Sequence, residues 1–228
     1  MNNSILRTLA WTMMAGFTAL ATAAQAQAAA SVVSMRGDVR IGTNPVALNQ
    51  RVMSGTTLST GAGAQAVLRF DDGQQVVLNE TTTFRITDFR YREAEPRNDR
   101  AVFDLLQGAM RFVTGIVGSR SRNSVQLRIP QATIGIRGTD FMVALVNPAY
   151  MQVISGAVSA SNAAGSLVLG ANTVGTVASA TSLGVTIPAS ALPGAVSGAF
   201  NGLSAVQLSA AATGAVGGAA GGASGAAA

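Results

Sequence analysis

The chain has 228 residues with 15 basic residues, all of them arginine, and 10 acidic residues, and it contains no histidine and no cysteine. Without histidine, cysteine and lysine it lacks the commonest general base, the commonest metal ligands, and the thiol and amine nucleophiles. The composition therefore argues against an enzyme, and it predicts no cofactor, no metal site and no disulfide bond.

The first segment is typical of an export signal. Arg7 precedes an apolar run at residues 9–21, and small residues at 24–26 and 26–28 fit the cleavage pattern of signal peptidase. The run is shorter than the roughly 20 apolar residues that a membrane-spanning helix needs. We therefore predict a cleavable signal peptide at residues 1–28, no stable membrane span after cleavage, and a periplasmic or secreted protein.

Residues 31–178 have the pattern of a single all-β domain. Short apolar stretches alternate with period two and are separated by Gly, Asn, Asp and Ser. The clearest unit is a hairpin at residues 64–79, with Asp72 and Gly73 in its turn. Further strands are expected at residues 31–41, 83–90, 102–113, 125–129 and 141–146, and as short segments within 151–177. Periodicity leaves two arrangements open, a β-solenoid-like coil and a compact β-sandwich.

Two segments depart from this pattern. Residues 91–100 are charged, contain Pro96 and predict an exposed loop. Residues 188–228 are rich in Ala and Gly, which predicts a low-complexity tail that is mostly disordered because few large apolar side chains offset its ordering entropy. A short helix within residues 200–212 stays open, since apolar residues there lie near helical spacing.

A pair of carboxylates is the main catalytic device that this composition leaves. The acidic residues outside the charged loop are Asp38, Asp71, Asp72, Glu80, Asp88, Asp104 and Asp140. They show no spacing of their own that glycoside hydrolysis would require, and turn or ion-pair roles explain them more simply. Binding of nucleic acid is not expected, because the arginines are spread singly with no aromatic stacking motif among them.

Four segments, in this order, resemble the FecR family. They are GDV at residues 37–39 with GTTLSTG at 55–61, AQAVLRFDDG at 64–73, LLQGAMRF at 105–112, and IPQATIGIRGTDF at 129–141. The last is similar to the family pattern P-x-A-x-x-x-x-R-G-T-x-F. The resemblance covers residues 31–160 and weakens towards residue 178. The residues that we expect to form its structural motif are Asp72, Gly73, Gly108, Gly135, Arg137, Gly138, Thr139 and Phe141.

The last segment also has a physical interpretation of its own. Gly135 and Gly138 bracket a stretch where a β-bulge or a close approach of two backbones is expected. For Arg137 we predict a partly buried guanidinium group that is paired to a carboxylate and clasps neighbouring coils.

Membership of the FecR family implies a β-rich, solenoid-like domain in the periplasm or outside the cell. The best-known members relay the state of an outer-membrane receptor to a cytoplasmic sigma factor, through a cytoplasmic anti-sigma part and a transmembrane helix that precede the domain. Here the domain follows the predicted signal almost directly. We therefore expect a binding or sensing module that contacts an envelope protein or a surface glycan through strand edges and the loop at residues 91–100. The alternative is a structural surface-matrix protein that self-associates through strand edges and its uncharged C-terminal part.

Overall fold

The computed structural model describes residues 28–120 and 124–208. These residues form fifteen strands, two short α-helices and two single 3-10 turns. The strands are β1 Ala28–Arg36, β2 Val39–Ile41, β3 Asn44–Pro45, β4 Arg51–Met53, β5 Thr57–Thr60, β6 Gln65–Phe70, β7 Gln75–Leu78, β8 Thr83–Arg90, β9 Arg100–Val113, β10 Val125–Ile129, β11 Ala132–Leu145, β12 Ala149–Asn162, β13 Gly165–Gly170, β14 Val174–Val177 and β15 Val185–Ile187. The helices are α1 Ile116–Arg120 and α2 Gly194–Ser204. The all-β prediction is confirmed, and β8 and β10 have the predicted bounds.

The described strands join one unclosed sheet. Its main path runs β15-β14-β12-β11-β10-β9-β7-β6-β1-β4, while β13 lies beside β12, and β2, β3 and β5 connect through β8. Strand β9 is central, since it pairs with β7, β8, β10 and β11, and only its pairing with β10 is parallel among these four. The solenoid-like coil and the compact sandwich stay alternative predictions for the path of this sheet.

The predicted hairpin is formed by β6 and β7. Ala66 pairs with Leu78 and Leu68 pairs with Val76, and all four side chains are buried. Gly73 adopts φ +83° in the turn, as an Asp-Gly turn pair requires. The alternating pattern thus predicted both the strands and their inward face.

Six phenylalanine rings form a continuous cluster in the core. Successive ring centroids lie 5.1 to 5.7 Å apart. The rings belong to β6, β8, β9 and β11, and they are Phe70, Phe84, Phe89, Phe103, Phe112 and Phe141. The cluster ties the N-terminal hairpin to the segment at residues 129–141.

Helix α2 covers part of the opposite face of the sheet. Val196, Phe200 and Leu203, which lie at helical spacing, are fully buried there. They pack against residues of β6, β7, β9 and β11, namely Val67, Val77, Ala109, Met142 and Ala144. The prediction of disorder is therefore wrong for residues 188–208: three large apolar side chains find an apolar strip on the sheet, although the segment is rich in glycine. Residues 209–228 of the predicted tail lie outside the described residues.

The predicted signal peptide lies outside the described residues, apart from its last residue, Ala28, which begins β1. Within residues 28–120 and 124–208, no helix has both the length and the apolar character that crossing a membrane would require.

Candidate functional site

Gly108 marks a point where the inward-facing side of β9 changes. Phe103 and Leu105 are buried before it, and Met110 and Phe112 are buried after it, so the inward positions change from odd to even numbers. Gly108 has φ +89°, and a Cβ atom there would collide with Thr82. Only glycine meets both conditions, because a side chain would be strained by the backbone and would have no room.

The same change of phase occurs on β11 at the predicted bulge. Ile136 is buried before Gly138, and Phe141 is buried after it. The pairing with β12 shifts here, since Arg137 lies opposite Ala157 while Asp140 lies opposite Ser155. The predicted bulge is therefore located at Gly138, where φ is +59°.

Gly156 of β12 is the partner of this bulge. It has φ +78°, and a Cβ atom on it would collide with the carbonyl oxygen of Gly138. Gly135, in contrast, continues regular pairing with Gln126 and Ser159. Of the two glycines expected to bracket a bulge, only Gly138 does so, and the close approach of backbones is between Gly138 and Gly156.

Thr139 and Phe141 fix the strand that follows the bulge. The Thr139 backbone N–H donates to Thr114 Oγ1 at 2.8 Å, and the Thr114 N–H and Oγ1 each donate to the Thr139 carbonyl oxygen at 2.9 Å. The Phe141 ring packs against Phe112 at a centroid distance of 5.5 Å. The motif segment is thus bound to the end of β9 by backbone, hydroxyl and ring contacts.

A clasp of the predicted kind exists, but it is made by Arg111 and Asp140. Arg111 Nε donates to Asp140 Oδ1 at 2.9 Å and Arg111 Nη2 donates to Oδ2 at 2.6 Å, and the side chains are only 16% and 17% exposed. The hydrogen bond to Asp140 raises the pKa of the Arg111 guanidinium, against the opposing effect of burial. This bidentate pair links β9 to β11 beside the bulge.

Arg137 does not form the predicted clasp. Its side chain is exposed, and it has no ion pair with any residue of the described chain. The prediction was wrong because residues beside a bulge no longer alternate in phase, so the next carboxylate, Asp140, faces Arg111 instead. Arg137 lines a shallow groove of about 490 Å³ over β10–β13, together with Gln126, Thr133, Ser159 and Val168.

Asp72 has a larger role than that of a turn residue. Its carboxylate is buried and accepts backbone hydrogen bonds from Gln74 at 3.0 Å and Val117 at 3.2 Å, so it joins the hairpin turn to α1. Burial raises the pKa of this carboxyl, which the two backbone donors partly oppose, and the charge of Asp99 adds a smaller rise.

This raised pKa predicts a stability effect that depends on pH. In the window between the ordinary carboxyl pKa of about 3.9 and the raised value, the folded chain binds more protons at Asp72 than the unfolded chain does. The contribution of Asp72 to the free energy of unfolding should therefore be greatest below the window and fall as pH rises through it. We expect the difference in free energy of unfolding between wild type and Asp72→Asn, measured in urea from about pH 3 to about pH 8, to fall in that direction. A difference that does not change with pH would contradict the assignment.

The comparisons with known proteins concern this same stretch of the chain. Residues 56–159 match the family model described as FecR protein. This chain contains a FecR domain. The match lies within the predicted range of residues 31–160, and the FecR domain so defined includes all eight predicted motif residues.

Two crystal structures of candidate anti-sigma factors from Parabacteroides distasonis ATCC 8503 are similar to 58% of this chain, with sequence identities of 18% and 19% and TM-scores of 0.46 and 0.45. The chain spans 59% of the length of each of them. No curated protein matches the sequence.

The charged loop of the FecR domain is exposed as predicted, except at its end. Arg92 and Glu95 are exposed and lie within 3.5 Å of each other. Asp99 is buried, accepts a hydrogen bond from the Arg92 N–H at 3.0 Å and lies 3.9 Å from Arg120. The loop encloses a cavity of about 230 Å³ that Arg90 and Asn98 also line.

The remaining candidate carboxylates of the catalytic alternative are engaged in structural contacts. Asp38, Asp71 and Asp88 form ion pairs with nearby arginines, at distances of 2.7 to 3.2 Å. Glu80 accepts the Gly63 N–H, and Asp104 accepts the Thr87 hydroxyl. Within the described residues, no group of three or more acidic side chains could hold a metal ion. Most of the predicted motif residues therefore have a structural role. Gly135 and Arg137 are the motif residues that line the exposed groove.

Sequence reasoning missed Gly156, Thr114 and the pairing of Arg111 with Asp140. A signal for Gly156 was present in the sequence, because the apolar positions change from odd numbers at Met151 and Val153 to even numbers at Val158 and Ala160. The contacts of Thr114 and Arg111 cross between strands about 25 to 29 residues apart in the chain, and no local pattern marks such contacts.

Proposed function

We propose that this chain is a non-enzymatic binding or sensing module of the cell envelope, located in the periplasm or outside the cell, whose partner is an envelope protein or a surface glycan. The observation that carries the proposal is the exposed Arg137, which has no ion pair with a described residue and lies over a groove of small apolar and polar residues within the segment that matches the FecR family. A guanidinium group that forms no ion pair within the described part of the chain can bind an anionic group of a ligand.

Two further surfaces support this proposal. The loop at residues 91–100 presents exposed charges around a cavity, and charged side chains of this kind steer and select partners. The strand β15 lies at one end of the main path of the sheet, and an unpaired edge can accept a strand of a partner.

Binding to isolated envelopes tests the proposal. Purified residues 29–228, labelled at the N-terminus, would be titrated against envelopes from cells that lack the protein. We expect saturable binding that unlabelled protein displaces. Binding that survives treatment of the envelopes with protease indicates a glycan partner, and binding that protease abolishes indicates a protein partner. Binding that never saturates, or no binding, would overturn the proposal.

One observation favours a second function, that of a self-associating surface protein. Val168, Leu183 and Val185 are 68%, 55% and 53% exposed near the last strands of the sheet, and no charged side chain follows Asp140 in the sequence. Such an uncharged apolar edge lacks the features that prevent strands from pairing between molecules.

A dilution series by light scattering separates the two functions. The variants are the full chain, a chain without residues 209–228, and Val185→Lys, since a lysine on an edge strand opposes pairing. Truncation should stop at residue 208 because α2 covers apolar residues of the sheet. Self-association predicts that the scattering mass rises with concentration and that Val185→Lys abolishes this rise. A monomer at every concentration would exclude the second function.

A further inference from the structure

One row of paired residues crosses seven neighbouring strands on the face that contains the Arg137 groove. Residues that lie opposite one another in a sheet point to the same face. The row runs from β5 through β8, β9, β10, β11 and β12 to β13, and its members are Thr57, Arg85, Asp104, Arg128, Thr133, Ser161 and Ser166. With strands about 4.8 Å apart, it extends over roughly 29 Å. All seven side chains are exposed or half-exposed.

The charges on this face are not balanced. Asp104 is the one carboxylate of the row, and it is engaged by the Thr87 hydroxyl. Arg85, Arg128 and the neighbouring Arg137 form no ion pair with other described residues, so three guanidinium groups against Asp104 give the row and the groove a net charge of +2. Asp88, which lies on the same face opposite Val102, is already paired with Arg90 and Arg100. The face therefore attracts an extended anionic ligand.

Hydroxyl groups occupy the end of the row beyond these charges. Thr133, Ser161 and Ser166 continue the row from Arg128, and Ser159 lies in the groove next to them. Ser159 and Ser161 are each hydrogen-bonded to Ser166, so the hydroxyls form a connected set that can donate and accept. A set of hydroxyls beside guanidinium groups matches a ligand that carries both hydroxyls and carboxylates.

We propose that this row and the Arg137 groove form a binding face for an acidic polysaccharide, a polymer whose sugar units carry carboxylates. The proposal rests on the proposed function as an envelope-binding module and names the class of ligand for one surface of it. Guanidinium groups would bind the carboxylates, and the serine, threonine and Gln126 side chains would bind the sugar hydroxyls.

A polysaccharide fits this face better than an acidic peptide does. The backbone groups of β8–β12 are paired within the sheet, so a peptide cannot gain main-chain hydrogen bonds there. The groove is also shallow and lined by small side chains, and it has no deep apolar pocket for the side chains of a peptide. The polar side chains of the row and the groove can bond a hydroxyl-rich polymer along its length, and the small apolar residues between them can pack against its sugar rings.

Affinity electrophoresis with polygalacturonate as the probe tests the proposal, with neutral dextran as the control polymer. The test variant is Arg128→Gln with Arg137→Gln. The matched control is Arg36→Gln with Arg69→Gln, which removes the same charge at exposed, unpaired arginines on β1 and β6. Circular dichroism and thermal unfolding establish that each variant is folded. We expect wild type to be retarded by polygalacturonate alone, the test variant to lose at least about tenfold in affinity, and the control to stay within about twofold.

The outcomes separate this proposal from the proposed function. Equal losses of affinity in the test and control variants would mean that only the total charge of the protein matters, and this would overturn the proposed binding face. Tighter binding to polyglutamate than to polygalacturonate would indicate that the face binds an acidic protein, and this would overturn the proposal of a polysaccharide ligand. Saturable binding to envelopes without any binding to polygalacturonate would overturn the ligand class while the envelope-binding function stands. No binding to either would overturn both.

Discussion

Replacing Phe103 by alanine should lower the free energy of unfolding by about 3–5 kcal/mol, the usual cost of removing a fully buried ring from a core. Phe103 is completely buried on β9, and it contacts Phe70, Phe84 and Phe112 at centroid distances of 5.2, 5.6 and 5.7 Å. Its ring contacts rings on β6, β8 and β9 at once, so the cavity cannot close by a small local movement. Urea unfolding followed by the fluorescence or circular dichroism of the domain measures the loss.

Two control variants separate the ring contacts from the strand itself. Phe103→Leu keeps most of the volume and should cost about 1–2 kcal/mol, which reflects the lost aromatic contacts. Leu106→Ala lies on the same strand but is 53% exposed, and it should change stability by less than about 0.5 kcal/mol. A cost for Phe103→Ala that is no larger than that of Leu106→Ala would mean that the aromatic cluster does not hold the sheet together.

Replacing Arg111 by alanine should cost about 2–4 kcal/mol, because it leaves Asp140 half-buried without its partner. Both hydrogen bonds of the pair are lost together, and the remaining carboxylate has little access to water. The same loss is expected from Asp140→Ala, and the double variant should cost less than the sum of the two single changes, since the pair acts as a unit. Unfolding in urea of the four chains of this cycle measures the coupling.

Arg137→Ala is the matched control for this cycle. It removes a guanidinium group three residues from Asp140, but this group is exposed and has no ion pair with any described residue, so stability should change by less than about 0.5 kcal/mol. Similar losses for Arg111→Ala and Arg137→Ala would contradict the assignment of the clasp to Arg111. A stable Arg137→Ala protein would also allow its binding to be measured without a folding defect.

Three glycines of the long strands have a shared physical role in this chain. Gly108, Gly138 and Gly156 each have positive φ, and each marks a point where the buried side chains of a long strand change phase. Without such switches, the 14-residue strands β9, β11 and β12 would turn their apolar residues to the solvent along half of their length. Gly108 and Gly138, the two that belong to the FecR motif, therefore let long strands bend and stay amphipathic.

Much of the strand pattern could be predicted, and the errors have physical causes. Period-two alternation predicted the β6–β7 hairpin and the bounds of β8 and β10, because strands with one buried face repeat every two residues. The prediction for β11 began only at residue 141, since the change of phase at Gly138 interrupts the alternation. The prediction of disorder failed for residues 188–208 because helix propensity there is low, and contact with an apolar strip of the sheet orders α2. The short helix left open within residues 200–212 overlaps the end of α2.

The sequence by itself determined the all-β class, the FecR motif, the hairpin turn at Asp72 and Gly73, and the exposure of the charged loop. These features rest on local spacing and on the conformational limits of single residues. Only the tertiary structure decided that Arg111, and not Arg137, pairs with Asp140, and that Asp72 is buried beneath α1. It also decided that Arg85, Arg128 and Arg137 share one face. Each of these depends on the register between strands far apart in the chain, and a bulge of one residue reverses which side chains meet.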